Sequence, residues 1–493
     1  MSEDSILSFF QALEAVMWGW PTLILLVFTG LYLTVLLKGL QFRYLFRSLK
    51  LAFTSPHSKT APGDISHFQA LMTALSATVG TGNIAGVATA ISFGGPGALV
   101  WMWLTGFLGM ATKYSEAVLG VYYRRQEKTG EMSGGPMYYI KDGLNKYPLL
   151  KKYNLPHILG GIFAVLVVIA ALNIGNMVQA NSVADAVSNG MRDTDYSQQG
   201  IKLWVGVIMA LLTGLVIAGG IKRIGHVASA MVPFMILLYV CAGLFILFQH
   251  WQQIDDVFVL IFESAFTDVG RNAAGGFLGV TVKEVMKFGL SRGVFSNESG
   301  LGSAPIAAAA AKTPHPVEQG LVSMTQTFID TIIVCTFTGL IIILSGLWWV
   351  SDPHQLTGAA LTAQAFGTQL TVDVFATNLG EMIVALCLIF FAYSTVIGWY
   401  YYGEKGLTYL VGTKGVWPYR ALFLLCLVFG AVQPVPLIWT IATVMIAFMI
   451  FPNLLSLLLL SKQVQRLTND FIRNEKTGEG YLEKPFHHIH EAK

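Results

Sequence analysis

The chain has 493 residues, 54% hydrophobic and only 12% charged, about half the charged share of a soluble domain. So few charges cannot cover a water-soluble surface of this size. That excludes a disordered chain, a collagen and an ordinary soluble enzyme, and leaves a polytopic membrane protein. A formal charge of +3 gives no reason to expect nucleic acid; the expected partners are membrane lipid and a small solute.

A bilayer-crossing helix needs about 20 largely apolar residues. Eleven stretches qualify, near 16–38, 67–92, 97–122, 157–182, 201–220, 226–249, 275–311, 320–348, 374–402, 417–433 and 436–461. The expected fold is all-α, with 11 transmembrane helices. The leader MSEDS is acidic and the first run is long, so that run reads as a retained span rather than a signal peptide. If the spans alternate, 24 of the 31 basic residues fall on one side. Among them are Lys38, Arg43, Arg47, Lys50, Lys59, Arg124, Arg125, Lys222, Arg223, Lys405, Lys414 and the tail from Lys462. The opposite loops carry Arg192 and Arg271 with Asp193, Asp195, Asp255, Asp256 and Asp352. Basic residues stay inside, so the N-terminus is expected outside and the C-terminus in the cytoplasm.

The second stretch holds Val79-Gly80-Thr81-Gly82-Asn83 at mid-depth. Glycine weakens a helix by about 1 kcal/mol relative to alanine, and a break in a bilayer frees backbone groups that need partners. The third carries Lys113 and Glu116, which at this spacing are expected to pair near a cytoplasmic end. The fourth carries Asn173, Asn176 and Gln179 on one helix face; they either bond neighbouring helices or face a wet cavity, and Gln179 is the candidate for the solute. The seventh holds Ser296-Asn297-Glu298-Ser299-Gly300-Leu301-Gly302, a second break with a carboxylate in it. A carboxylate at that depth is a functional candidate by default. Asp330 in the eighth span is either structural or a proton acceptor. The ninth holds Phe391-Ala392-Tyr393-Ser394-Thr395, adjacent hydroxyls that either bond back along the helix or complete an oxygen shell for a cation. Trp399 is a candidate pocket wall; Tyr400, Tyr401 and Tyr402 read as an interfacial aromatic belt. Cys241, Cys335, Cys387 and Cys426 read as small buried hydrophobes. The His487–His490 cluster is a weak metal candidate.

Beyond an N-terminal part (1–66, one helix and a connection), ten spans divide into two sets of five, 67–249 and 275–461, followed by a tail, 462–493. Each set opens with its broken helix, and an odd number inverts the second set relative to the first. Interrupted helices at matching positions of inverted halves point to a transporter site at the midplane. Freed carbonyls suit a desolvated cation and helix N-termini suit a carboxylate, a combination that fits a zwitterionic amino acid with a small hard cation. A membrane enzyme would need a nucleophile–base pair or metal cluster, and no HExxH, GxSxG or Cys/His set occurs. A proton-coupled transporter or exchanger using Glu298 or Asp330 is the alternative.

Three stretches resemble the alanine/glycine:cation symporter family: GTGNIAGVATAISFGGPGALVWMWLTGFLG (Gly80–Gly109), SGGPMYYI (Ser133–Ile140) and GLSRGVFSNESGLGSAPIAAAAAK (Gly289–Lys312). The family's pattern has Phe before Trp-Met-Trp, where this chain has Val100. The resemblance implies uptake of small neutral amino acids, mainly alanine and glycine, driven by sodium and occasionally protons, and a five-plus-five inverted repeat of the leucine-transporter type with one extra N-terminal helix. A bacterial inner-membrane location and a monomer are expected. The core Val79-Gly80-Thr81-Gly82-Asn83 also resembles the unwound first helix of the neurotransmitter:sodium symporters. That likeness implies a sodium held by Ser76, Val79, Ala392, Ser394 and Thr395. It implies a substrate against Thr78, Gly82, Gln179, Phe295, Ser296, Asn297 and Glu298, with Phe295 and Trp399 limiting side-chain size.

Overall fold

The computed structural model describes residues 3–54, 61–191, 197–266, 281–350, 356–374, 377–433 and 435–487. Met1, Ser2, Lys59, Arg192, Asp193, Asp195, Arg271, Asp352, the 275–280 start of the seventh stretch and the 488–493 end of the tail lie outside these residues. Helices dominate; two two-stranded antiparallel hairpins are the strand pairs among the described residues, Arg125–Gln126 with Met132–Ser133 and Asp373–Val374 with Thr377–Asn378.

Eight of the described helices are long and apolar enough to cross a membrane, or nine if the bent pair His67–Thr78 and Gly82–Gly94 is one span. All of them fall on predicted stretches. Of the two remaining stretches, Ala98–Tyr122 is one 25-residue helix with Lys113 and Glu116 in its interior. The other is interrupted, as Val282–Asn297 followed by Ala304–Ala308. Short helices Pro136–Leu144, Ile254–Phe266 and Gly358–Gln369 were not expected, being below span length. The final helix does not stop near 461 but continues to Thr477.

The outer helices show what solvent they suit. Trp204, Leu211, Phe234, Leu237, Phe248, Trp417 and Leu425 are each at least half exposed. In water such a belt would drive association; against lipid tails it costs nothing. Cys241 faces outward in this belt, contrary to the reading of all four cysteines as buried, whereas Cys335 and Cys387 are buried. Tyr400, Tyr401 and Tyr402 form no interfacial belt: all three are buried. Tyr400 donates to Glu404 at 2.5 Å and stacks on Tyr419.

Both broken helices start with the same local device. Ser66 accepts from the Gln69 N–H while Gln69 bonds back to Ser66, and Thr281 and Glu284 do likewise; such reciprocal caps satisfy orphan donors at a helix start. The entrance of the first broken helix is stapled to the exit of the second. Asp64 and Ile65 N–H groups donate to the Ala310 carbonyl at 2.8 and 3.1 Å, and Lys312 N–H donates to Ile65 at 2.7 Å. Arg124, fully buried, clamps the same place by donating to the Ala309, Ala311 and Pro62 carbonyls. The two helices therefore run antiparallel from a shared anchor, and their interruptions come to one level.

Close packing holds the second broken helix on Ala98–Tyr122. A Cβ on Gly289 would lie 2.4 Å from the Ala98 carbonyl oxygen, whereas one on Gly86 would meet nothing within 4 Å. Gly289→Ala is expected to cost about 1–3 kcal/mol and to lower the melting temperature in detergent. Gly86→Ala should leave it unchanged or slightly raised. Equal melting temperatures for the two variants would contradict this packing.

Candidate functional site

The first helix ends at Thr78, and the segments either side of the gap are bent by 51°. Gly80 N–H does not continue the helix; it donates to Asn83 Oδ1 at 2.9 Å. The Ser76 carbonyl one turn earlier instead lies 3.2 Å from the Ser394 hydroxyl, which it shares with the Phe391 carbonyl at 2.8 Å. Chain resumes as a π-helical turn, Gly82–Gly86, a form often found at functional sites. The second helix ends at Asn297 because Glu298 takes a left-handed conformation, φ 56°. A bulky residue seldom adopts this conformation without a functional reason. Gly300 and Gly302, φ 93° and 80°, then carry the chain through a turn with little steric penalty.

Asn83 joins the two breaks. Its amide nitrogen donates to Ser296 Oγ at 3.0 Å and to Asp330 Oδ1 at 2.7 Å. Ser296 and Thr331 hydroxyls donate to the other Asp330 oxygen at 2.9 and 2.8 Å. Asp330 lies in another π-helical segment, Phe328–Cys335, and is fully buried. Its role is thus at least structural: it accepts hydrogen bonds from residues of both breaks.

Thr78, Gly82, Gln179, Phe295, Glu298 and Trp399 line one cavity of about 20 Å³, together with Thr81, Ile174 and Thr395. Trp399 Nε1 donates to Glu298 Oε1 at 3.1 Å, and Ser303 donates to the other oxygen at 2.5 Å. Trp399 fits only because Gly175 faces it; a Cβ there would lie 2.1 Å from the Trp399 Cβ. Gln179 donates to the Ile174 carbonyl at 3.0 Å, within a further π-helical turn, Asn173–Met177. Its Oε1 is buried and has no hydrogen-bond partner among the described residues. Asn176 instead bonds the Phe423 carbonyl and serves helix packing. Phe295 stacks on Trp439, ring centroids 6.0 Å apart.

Ser296 and Asn297 sit at the second break with their side chains away from this cavity. Ser296 joins the Asp330 cluster, and Asn297 donates to Thr331 at 3.2 Å while accepting from Ser299 N–H. Of the expected sodium ligands, Ser76 meets Ser394 at the first break, where Val79 caps the end of the helix. Thr395 Oγ1 lies where a Cβ on Gly80 would be, 2.6 Å away, and donates to the Phe391 carbonyl at 2.9 Å. Ala392 lies in the continuous Leu379–Val411 helix, where its carbonyl keeps one lone pair beyond the helical bond. The gathered atoms are hard oxygens, as a hard cation requires. Gln326, absent from the expected site, donates to Thr78 Oγ1 and to the Ala74 carbonyl, both at 3.1 Å; it is one of several polar residues in the helix Pro316–Thr327, and nothing in its spacing singles it out. A larger cavity of about 680 Å³, lined by Asp185, Gln364 and Glu381, also reaches Thr81. Thr81 is therefore a shared wall between this vestibule and the small cavity.

Interrupted helices meeting around a buried polar site, inside a lipid-facing helical shell, define a secondary transporter rather than an enzyme. The sequence profile described as "Sodium:alanine symporter family" matches residues 3–484, and the chain belongs to that family. It is 50% identical over 465 residues to the sodium/alanine symporter AgcS of Methanococcus maripaludis, covering 94% of this chain and 97% of the relative. It is 35% identical over 463 residues to the probable sodium/glutamine symporter GlnT of Bacillus subtilis, covering 94% and 90%. Among solved structures it is similar to MhsT in complex with L-phenylalanine, with TM-score 0.53, 12% identity, and 82% and 89% of the two chains covered; that likeness concerns the fold.

Gly80→Ala is expected to destabilise the protein by about 1–3 kcal/mol because its methyl would meet Thr395 Oγ1. Adding Thr395→Ala removes that atom and should restore most of the lost melting temperature. An equal loss in single and double variants would place the clash elsewhere.

Proposed function

We propose that the protein carries a small neutral amino acid, alanine or glycine, together with sodium, by alternating access. The observation that carries this reading is the single small cavity walled by residues of both breaks and closed by the Trp399–Glu298 bond. A carboxylate would find backbone N–H groups at the interrupted helices. An ammonium would find the Gln179 oxygen and freed carbonyls of the first break. Phe295 and Trp399 leave room for a small side chain only. Membership of the family supports sodium as the coupled ion.

Sodium would bind where the Ser394 hydroxyl already meets the Ser76 carbonyl, with Thr395, Val79 and Ala392 completing the shell. An ion there orders the first break, and the ordered break completes the amino-acid site; the coupling is a shared structure. The vestibule at Thr81 is the outer approach, consistent with basic residues on the opposite side, an outside N-terminus and a cytoplasmic tail. The five-plus-five inverted arrangement with one added helix fits the antiparallel broken pair. The working unit is read as a monomer in the bacterial inner membrane.

Uptake of radiolabelled alanine into proteoliposomes tests the reading. An inward sodium gradient should drive accumulation above equilibrium, while potassium or an imposed proton gradient alone should not. Uptake driven equally by the proton gradient without sodium would favour proton coupling. Ser394→Ala with Thr395→Ala should raise the half-saturating sodium concentration about tenfold or more, each lost ligand being worth about 1 kcal/mol, with folding retained. Unchanged sodium dependence would remove these two residues from the ion site. Phe295→Ala should admit larger side chains such as that of leucine in competition assays; an unwidened substrate range would show that Phe295 is not the wall.

A further inference from the structure

One face of the Ala98–Tyr122 helix lies along the second break. Gly106, Gly109, Lys113, Glu116 and Gly120 recur every three or four residues and so share that face. Cβ atoms on Gly106, Gly109 and Gly120 would meet Thr331 at 3.1 Å, Ser299 at 2.6 Å and Pro305 at 2.8 Å. The two charged residues of the stripe are thereby held against the break. Glu116 Oε1 accepts from Gly302 N–H at 3.1 Å and from Asn453 at 2.6 Å, and its other oxygen has no hydrogen-bond partner among the described residues. Lys113 is 1% exposed, and its Nζ has no hydrogen-bond partner among the described residues. Lys113 does not pair with Glu116 at a helix end: it lies nine residues before Tyr122, about 14 Å into the helix at 1.5 Å per residue.

The charged groups within electrostatic reach of Lys113 are Glu116 on its own helix, Glu298 at the break and Asp330 on the π-helical segment, and its Nζ is in direct hydrogen-bond contact with none of them. Tyr139 is within electrostatic reach of Glu116, and Tyr402 of Glu298, from their own helices. Asp330 already accepts from Asn83, Ser296 and Thr331. Glu298 accepts from Ser303 and Trp399. Those are neutral donors, and they leave the carboxylate charge itself unbalanced in a medium where charge is expensive. One amine stands among three carboxylates.

We propose that Lys113 is a tethered counter-cation of the second break, balancing Glu116 and Glu298 so that neither needs a proton or a transported ion. Its flexible stem and three rotatable donors let the ammonium follow these carboxylates as the break changes shape during transport. It is a positioning residue, acting on the substrate cavity through Glu298 and the Gly300–Gly302 turn. The inference rests on reading the second break as half of the substrate site. Wild-type uptake tests that reading, and comparison among variants tests this one.

The experiment reconstitutes wild type, Lys113→Met, Glu116→Gln and the double variant, and measures sodium-driven alanine uptake across pH. Lys113→Met is expected to lose about tenfold or more at about pH 7.5, as for breaking a buried pair. It should regain several-fold at about pH 5.5, where a proton can replace the missing charge. Wild type should show no such gain. The double variant removes one charge of each sign and should recover uptake at the higher pH. If Lys113→Met alone fails to fold, recovery of folded, monodisperse protein in the double variant supports the proposal. A Lys113→Met variant with the wild-type rate and pH profile, or a double variant no better than the single, overturns it.

Discussion

Backbone N–H and C=O groups left unpaired inside a bilayer each cost several kcal/mol, and two helices here are interrupted where no water can serve them. The structure answers with side chains, one local and three supplied from other helices. Asn83 takes the Gly80 N–H, Ser394 donates to the Ser76 carbonyl, Glu116 takes the Gly302 N–H, and Asn453 donates to the Gly300 carbonyl at 2.8 Å. Asn83 lies three residues on within its own break, but the other three partners come from helices distant in sequence, so the breaks cannot be moved or straightened without disturbing the bundle. The capping boxes, the staple at Ile65 and Lys312 and the Arg124 clamp fix where the interruptions fall.

The same constraint supplies a means of coupling. Asn83 belongs to the first break and Ser296 to the second, and both bond Asp330. Whatever binds at one interruption therefore acts on groups that hold the other. Thr395 lies against Gly80 on the proposed ion side and also lines the small cavity with Trp399 and Glu298. An ion and a solute on these two faces of one short segment would each favour the same ordered arrangement, which is what thermodynamic linkage between two ligands requires.

Both interruptions were legible in the sequence because glycine, serine, threonine and asparagine cluster there within otherwise apolar runs; small residues also serve close helix packing, and the matching position of the two clusters in the two sets favoured a break. Gln179 was legible from its spacing with Asn173 and Asn176, although Asn176 turned out to bond a neighbouring helix. The π-helical turns at 82–86, 173–177 and 328–335 had no such signature, since they arise from tertiary packing rather than from local propensity. For Asp330 and Lys113 the residue type said that something must compensate them; spacing named Glu116 beside Lys113 on one helix, but Asn83 and Ser296 at Asp330, and Glu298 beside Lys113, come from other helices and no spacing rule names them. Tyr400, Tyr401 and Tyr402 misled because a run of tyrosines suits an interface; here Glu404, Arg420 and Tyr419 give Tyr400 a polar setting inside the protein.

The central claim is that the two interruptions form one site that its ligands order together. Amide hydrogen exchange in detergent, followed over 79–83 and 297–303, tests it directly. Sodium with alanine should slow exchange in both segments together, well beyond sodium alone, with the flanking helices little changed. Slowing in one segment only, or protection confined to other parts of the chain, would contradict the account.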